Sequence, residues 1–182
     1  AQRQRGCIQA ERQALRRQIG IGCAGDEAHR RTFVDVLVTD GSQHLDHDTQ
    51  QNHLAPHTTS DLLFKGALKG KSRSVWQGMI YVAPGAQKTD GYQANRNLVL
   101  SEGARADSIP GLEILADDVR CTHGATVGKL EQEPLFYLKS RGIPQAEAEK
   151  IVVEGFFDPI FQRIPFEGVR ERLKRSIEAK MG

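Results

Sequence analysis

The chain has 182 residues, of which 26% are charged, 6% aromatic and 18 are glycine. That suffices for one sizeable domain with small appendages, turn-rich and light in aromatics. No apolar run reaches membrane-spanning length, no start resembles a signal peptide, and three cysteines at irregular spacing argue against a disulfide framework. The composition predicts a soluble protein of a reducing cytoplasm, without a membrane partner.

The net charge of +2 is uneven. Residues 1–31 hold seven arginines against three acids, so the rest of the chain carries two more negative charges than positive. The main body therefore lacks the electrostatic footprint of a nucleic-acid binder. Within residues 1–30, Ile8, Leu15 and Ile19 fall near one helical face. The stripe is thin, and Gly20, Gly22 and Gly25 interrupt it. The segment predicts a marginal or disordered basic helix. An RNA-binding or membrane-surface arm would need interleaved aromatics, which it lacks. Cys7 and Cys23 are predicted to be unpaired thiols.

Residues 31–130 read as short strands. Thr32–Thr39 is a β-branched run closed by Asp40-Gly41. Leu62–Lys65 ends before Gly66, and Ser74–Val82 stops at Pro84-Gly85. Asn97–Leu100, Leu112–Ile114 and Val119–Cys121 follow, with Asp117-Asp118 between the last two. Even spacing with Gly, Asn, Asp and Pro between runs predicts an all-β body: a sandwich, a barrel or a β-solenoid. Clean hairpin signals are scarce, which favours stacked coils in a parallel solenoid.

Residues 131–182 switch to helical period. Pro134 through Leu138, ending at Gly142, has Pro near its start and Gly just past its end. Pro144 opens a second helix with Ala148, Ile151, Val152 and Phe156 on one face, stopped before Pro159. Phe166, Val169, Leu173 and Ile177 predict a third. Three short helices cannot form a large core alone. They are expected to pack on the end of the β body or offer apolar surface to a partner.

Among candidate chemistries, Gly66–Ser72 has three residues between its glycines where a phosphate-binding loop needs four, and no helix follows. It predicts a solvated turn. His44, His47, His53 and His57 are expected in turns and coil ends, hydrogen-bonded to backbone; Pro56 denies His53 and His57 a helical metal site. The most informative stretch is Val119–Gly128. In a strand, residues i and i+2 share a face, so Cys121 and His123 should project together. A soft thiolate beside an imidazole suits iron, zinc or copper, but two ligands do not close a site. A lone Cys is also commonly a buried apolar group, and a lone His a satisfied structural one.

Longer motifs carry a resemblance. Asp40–His44, His53–Ser60, Val82–Gly91, Ala116–Gly128 and Leu135–Ile143 resemble the SufD proteins of the SufB/SufD family, a non-ATPase subunit of the SufBCD iron–sulfur cluster assembly complex. The resemblance covers about Thr32 to Phe161. Two places distinguish the paralogues. SufB carries a cysteine in a Gln-Cys-Asp pattern where this chain reads Gln93-Ala94-Asn95, and His-Glu-Ala-Thr where it reads His123-Gly124-Ala125-Thr126. Family members are more than twice this length, and residues 1–30 carry none of these motifs.

The resemblance implies a right-handed parallel β-helix (a β-solenoid, mainly β) over residues 31–130, followed by a small carboxy-terminal helical domain over 131–182. It implies a non-catalytic scaffold subunit that pairs with SufB and binds the ATPase SufC through the helical domain. His123 is then the residue implicated in cluster assembly, with Cys121 a contributor. The cluster would be transient and shared with SufB, with none held by this chain alone. Phe156, Phe157, Pro159 and Ile160 form an apolar knot expected either to pack the helices onto the β-helix or to contact the ATPase. Two rivals remain: a β-helix carbohydrate-active enzyme, which would need converging carboxylates in a groove, and a homodimeric structural β-solenoid.

Overall fold

A computed structural model describes the backbone of residues 15–23 and, in full, residues 30–181. Eight strands come first: β1 (Leu15–Cys23), β2 (Arg30–Thr39), β3 (His44–His53), β4 (Thr59–Leu68), β5 (Arg73–Val82), β6 (Asp90–Val99), β7 (Arg105–Ile114) and β8 (Arg120–Lys129). Three helices follow: α1 (Gln132–Ser140), α2 (Gln145–Phe161) and α3 (Glu167–Met181). Odd strands form one parallel sheet, β1-β3-β5-β7, and even strands the other, β2-β4-β6-β8. Successive strands thus alternate between two facing sheets, which is a β-solenoid, as the spacing of strands and turns predicts. The length of each coil is the sequence interval between ladder partners: His44 pairs with Arg73 and Arg73 with Arg105.

The coils stay in step because their turns stack. Gly41 and Gly70 both have positive φ, +54° and +74°. A Cβ on Gly70 would lie 2.8 Å from the Gly41 carbonyl oxygen, so the turns touch backbone to backbone. Lys71 donates its backbone N–H to Gly41 O at 2.7 Å, extending the ladder around the corner.

Alternation within each strand sends one set of side chains into the lumen. Leu62 and Phe64 of β4 meet Trp76 of β5 there. The opposite face of β4, with Leu63 and Ala67, is covered by the helices. Val153, Phe157, Phe161, Ile177 and Met181 pack on Ala67, while Ile160 and Ile164 pack on Leu63 and Ala94. A strand buried on both faces reads as a near-continuous apolar run rather than an alternation, and Leu62–Leu68 of β4 does so except at Lys65.

Several sequence expectations need correction. Residues 15–23, placed in a basic helix, form β1, paired in parallel with β3 from Leu15↔Leu45 to Cys23↔His53. Their glycines weaken a helix but are accommodated in a parallel ladder with β3. Cys7 lies outside the described residues, as does the side chain of Cys23. Helices α2 and α3 lie along the outer face of the even-strand sheet, not on the end of the β body, and α1 packs on α2. α2 runs through Pro159, because a proline near the last turn removes only one internal hydrogen bond. Its buried face is Ala148, Val153, Phe157, Ile160 and Phe161, and Ile151 faces solvent. α1 ends as expected: Gly142, at φ +86°, lets Ile143 N–H donate to Leu138 O and its own N–H donate to Lys139 O.

Candidate functional site

β8 is the last strand of its sheet, and its register sets Cys121 beside Gly91 and His123 beside Gln93. Gln93 is fully buried in the lumen, so the residues in its column, Leu62 and His123, share its facing. Cys121 and His123 therefore emerge on one face, as period-two reasoning predicts. Cys121 is half-buried against Ile80, Val82 and Ala86, whereas His123 is exposed.

The surroundings form an uncapped mouth. Among the described residues, no strand pairs with the outer edges of β7 and β8. Leu112, Ile114 and Val127 sit in lumen-facing register over Ile80, Val82 and Asn97, yet are 36%, 38% and 52% exposed. Such residues are core positions without a covering layer. A free parallel edge with uncovered apolar side chains is a surface built for pairing.

Beneath the mouth the lumen is polar. Gln51 donates from Nε2 to Ser60 Oγ at 2.7 Å and to Tyr92 O at 3.2 Å. Ser60 Oγ lies 2.8 Å from His53 Nε2, and Thr58 Oγ1 lies 2.7 Å from His53 Nδ1. Thr58 gives its own proton to Ala55 O, so its oxygen accepts from His53 Nδ1–H. Ser60 already accepts from Gln51, so its proton goes to Nε2. The network thus assigns His53 one neutral tautomer. Burial pushes the His53 pKa down, against the weaker upward pull of Asp90. Burial likewise raises the Cys121 thiol above its ordinary range, opposed by a hydrogen bond with the Gly91 backbone. Raising the thiol pKa keeps Cys121 less nucleophilic than an exposed thiol.

The family model described as SUF system FeS cluster assembly, SufBD core domain, matches residues 4–156. The chain belongs to the SufBD family. An iron–sulfur cluster assembly SufBD family protein of Mycobacterium bovis is 43% identical over 166 residues, 87% of this chain and 41% of that protein. The SufD proteins of Bacillus subtilis and Escherichia coli are 39% and 40% identical, over 80% and 74% of this chain. The chain spans 33% and 31% of their lengths. The SufBD match starts at residue 4, which corrects the expectation that residues 1–30 stand apart from the family.

Placed in this SufBD solenoid, the remaining predicted residues separate. Among the described residues, no three His, Cys, Asp or Glu side chains gather as a metal site. His44 and His53 are the first and last residues of β3, at coil ends as expected; His47 lies within that strand, and His57 occupies a turn at φ +58°. The His53 ring bonds to side chains, not to backbone as expected. Phe157 and Ile160 are fully buried against the strands, which supports the packing alternative for the apolar knot. Phe156 is half-buried and Pro159 exposed. Sequence reading missed the lumen group of Gln51, His53, Thr58 and Ser60, because its partners converge only when the chain turns from β3 into β4 on the facing sheet. The alignable signal was the ladder column Ser60–Gly91–Cys121.

Among the described residues, no helix is long and apolar enough to cross a membrane.

Proposed function

We propose that this chain is a non-catalytic scaffold subunit of SufD type for iron–sulfur cluster assembly, working at the mouth of its solenoid with a SufB partner. The observation that carries this reading is the placement of Cys121 and His123 at the rim of an uncapped lumen, with Leu112, Ile114 and Val127 uncovered beside them. An iron–sulfur cluster is typically held by four thiolates, with His a rarer ligand. One thiol and one imidazole at the rim make half a site, so the rest comes from the partner. A site divided between two chains also suits a scaffold, which must release the cluster it builds.

The helical region is the place for a SufC-type ATPase. Phe136 and Tyr137 of α1 remain 75% and 57% exposed, and Phe166 and Val169 at α3 are exposed as well. Apolar surface of this extent is what a partner helix or loop would cover.

The test is anaerobic reconstitution with iron and sulfide, with and without SufB and SufC. Charge-transfer absorbance should appear only with the partners present. His123→Ala should lower it while leaving the complex assembled. An intact complex of the His123→Ala chain that forms clusters at the unmutated level would reject the reading.

A further inference from the structure

We propose that Lys65 is a positioning residue that couples α2 to the mouth of the solenoid. It sits on the outer face of β4, 4% exposed, and its ammonium donates to the Phe156 carbonyl oxygen at 2.5 Å. The same group lies 4.7 Å from the centre of the Phe156 ring. Lys65 makes no ion pair among the described residues. Burial is the main cause that pushes its pKa down; Arg96 and Arg163 add to this, and Asp158 opposes it. A buried cation facing two other cations is costly to keep. What Lys65 adds is a directional grip.

The grip falls where α2 yields most easily. Pro159 has no N–H to give to the Gly155 carbonyl, so the helix is weakened in the turn that contains Phe156. Lys65 holds that turn from the sheet. On the other side, Lys65 is followed by Gly66, whose missing side chain leaves the space that the Asn97 carboxamide oxygen fills. Asn97 Nδ2 donates to Asn95 Oδ1 at 3.1 Å, and Asn95 Nδ2 donates to Ser108 Oγ at 3.0 Å. Ser108 belongs to β7, a strand of the uncapped rim, and Asn95 and Asn97 pair in register with Ala125 and Val127 of β8. A continuous path thus runs from Phe156 through Lys65, Gly66, Asn97 and Asn95 to Ser108. Each link is a hydrogen bond, a chain neighbour or a filled void, so a shift of α2 moves the rim.

The inference rests on the mouth being the working end, but its test does not use cluster assembly, so the two can fail separately. Amide hydrogen exchange is measured over residues 105–129 in the whole chain, with Lys65→Met and Pro159→Ala. Lys65→Met keeps most of the stem and removes the donor; exchange at 105–129 should speed up by about twofold to thirtyfold, the range of ordinary coupling energies. Pro159→Ala restores the missing N–H and stiffens α2, so exchange at 105–129 should slow. Opposite shifts at the rim support the coupling. If Lys65→Met does not fold, Pro159→Ala alone decides. Changes confined to β4 and α2, with residues 105–129 unmoved, overturn it.

Discussion

Cys121 lies beside Gly91 in the ladder, and the space that a Gly91 side chain would occupy is bounded by Cys121 Sγ at 3.2 Å and His53 Nε2 at 3.4 Å. The missing side chain lets the thiol at the rim approach the buried histidine. Because burial raises the thiol pKa, alkylation of Cys121 by iodoacetamide should be slow at neutral pH. Its rate should climb only above the ordinary thiol range of about 8.5. Gly91→Ala pushes Sγ outward, and β8 has a free edge along which to yield. The cost should be about 1 kcal/mol, with Cys121 labelled faster at every pH. Peptide-resolved mass spectrometry separates Cys121 from the other two thiols. Unchanged labelling in Gly91→Ala would show that the contact does not govern access.

His53 makes stability depend on pH in a definite direction. Its pKa is lowered in the fold, chiefly by burial. Near the ordinary value of about 6.5 the unfolded chain takes up a proton that the folded chain refuses. The contribution is therefore fully present above that value and is lost as pH falls toward the folded pKa. The slope from one proton is at most about 1.4 kcal/mol per pH unit. His53→Gln should cost stability at pH 8 and flatten the decline below pH 6.5, when urea unfolding is followed at several pH values. Parallel curves for the two proteins would remove His53 as the source.

Legibility in the sequence followed chemistry. β2 and β5 announce themselves through β-branched and apolar runs closed by Gly or Pro-Gly. β3, His-Leu-Asp-His-Asp-Thr-Gln-Gln-Asn-His, does not, because its inward residues are polar. Those groups are satisfied across one turn: Gln51 and His53 by Ser60 of β4, and His53 by Thr58 in the turn before it. Strand alternation does not record partners that meet only when the chain turns from one sheet to the facing one. Cys121 and His123 were readable because strand alternation alone puts them on one face. Lys65 was not, since its significance lies in a contact 91 residues away. The buried face of α2 was misjudged by one residue, Val152 for Val153 and Phe156 for Phe157. Adjacent apolar pairs on a helix do not say which member points inward.

The lumen also holds a packing constraint that sets how firmly the rim is supported. A Cβ on Gly78 would run into the six-membered ring of Trp76 and lie 2.6 Å from Gln93 Oε1. Trp76 and Gln93 are both fully enclosed, so neither has a free end to swing aside. Gln93 is held by bonds from Nε2 to Gly111 O at 3.0 Å and to Gly78 O at 3.4 Å, which tie β6 to β7 and β5. Gly78→Ala must displace the indole or break that tie, and should cost about 2–3 kcal/mol. Trp76 is the chain's single tryptophan, so its fluorescence reports the loss directly in urea unfolding. Gly124→Ala is the control: nothing lies within 4 Å of a Cβ there, and its φ is not positive. That change should stay within about 0.5 kcal/mol. Equal effects from the two substitutions would mean that the lumen around Trp76 is loose, and that the rim is not held in place from below.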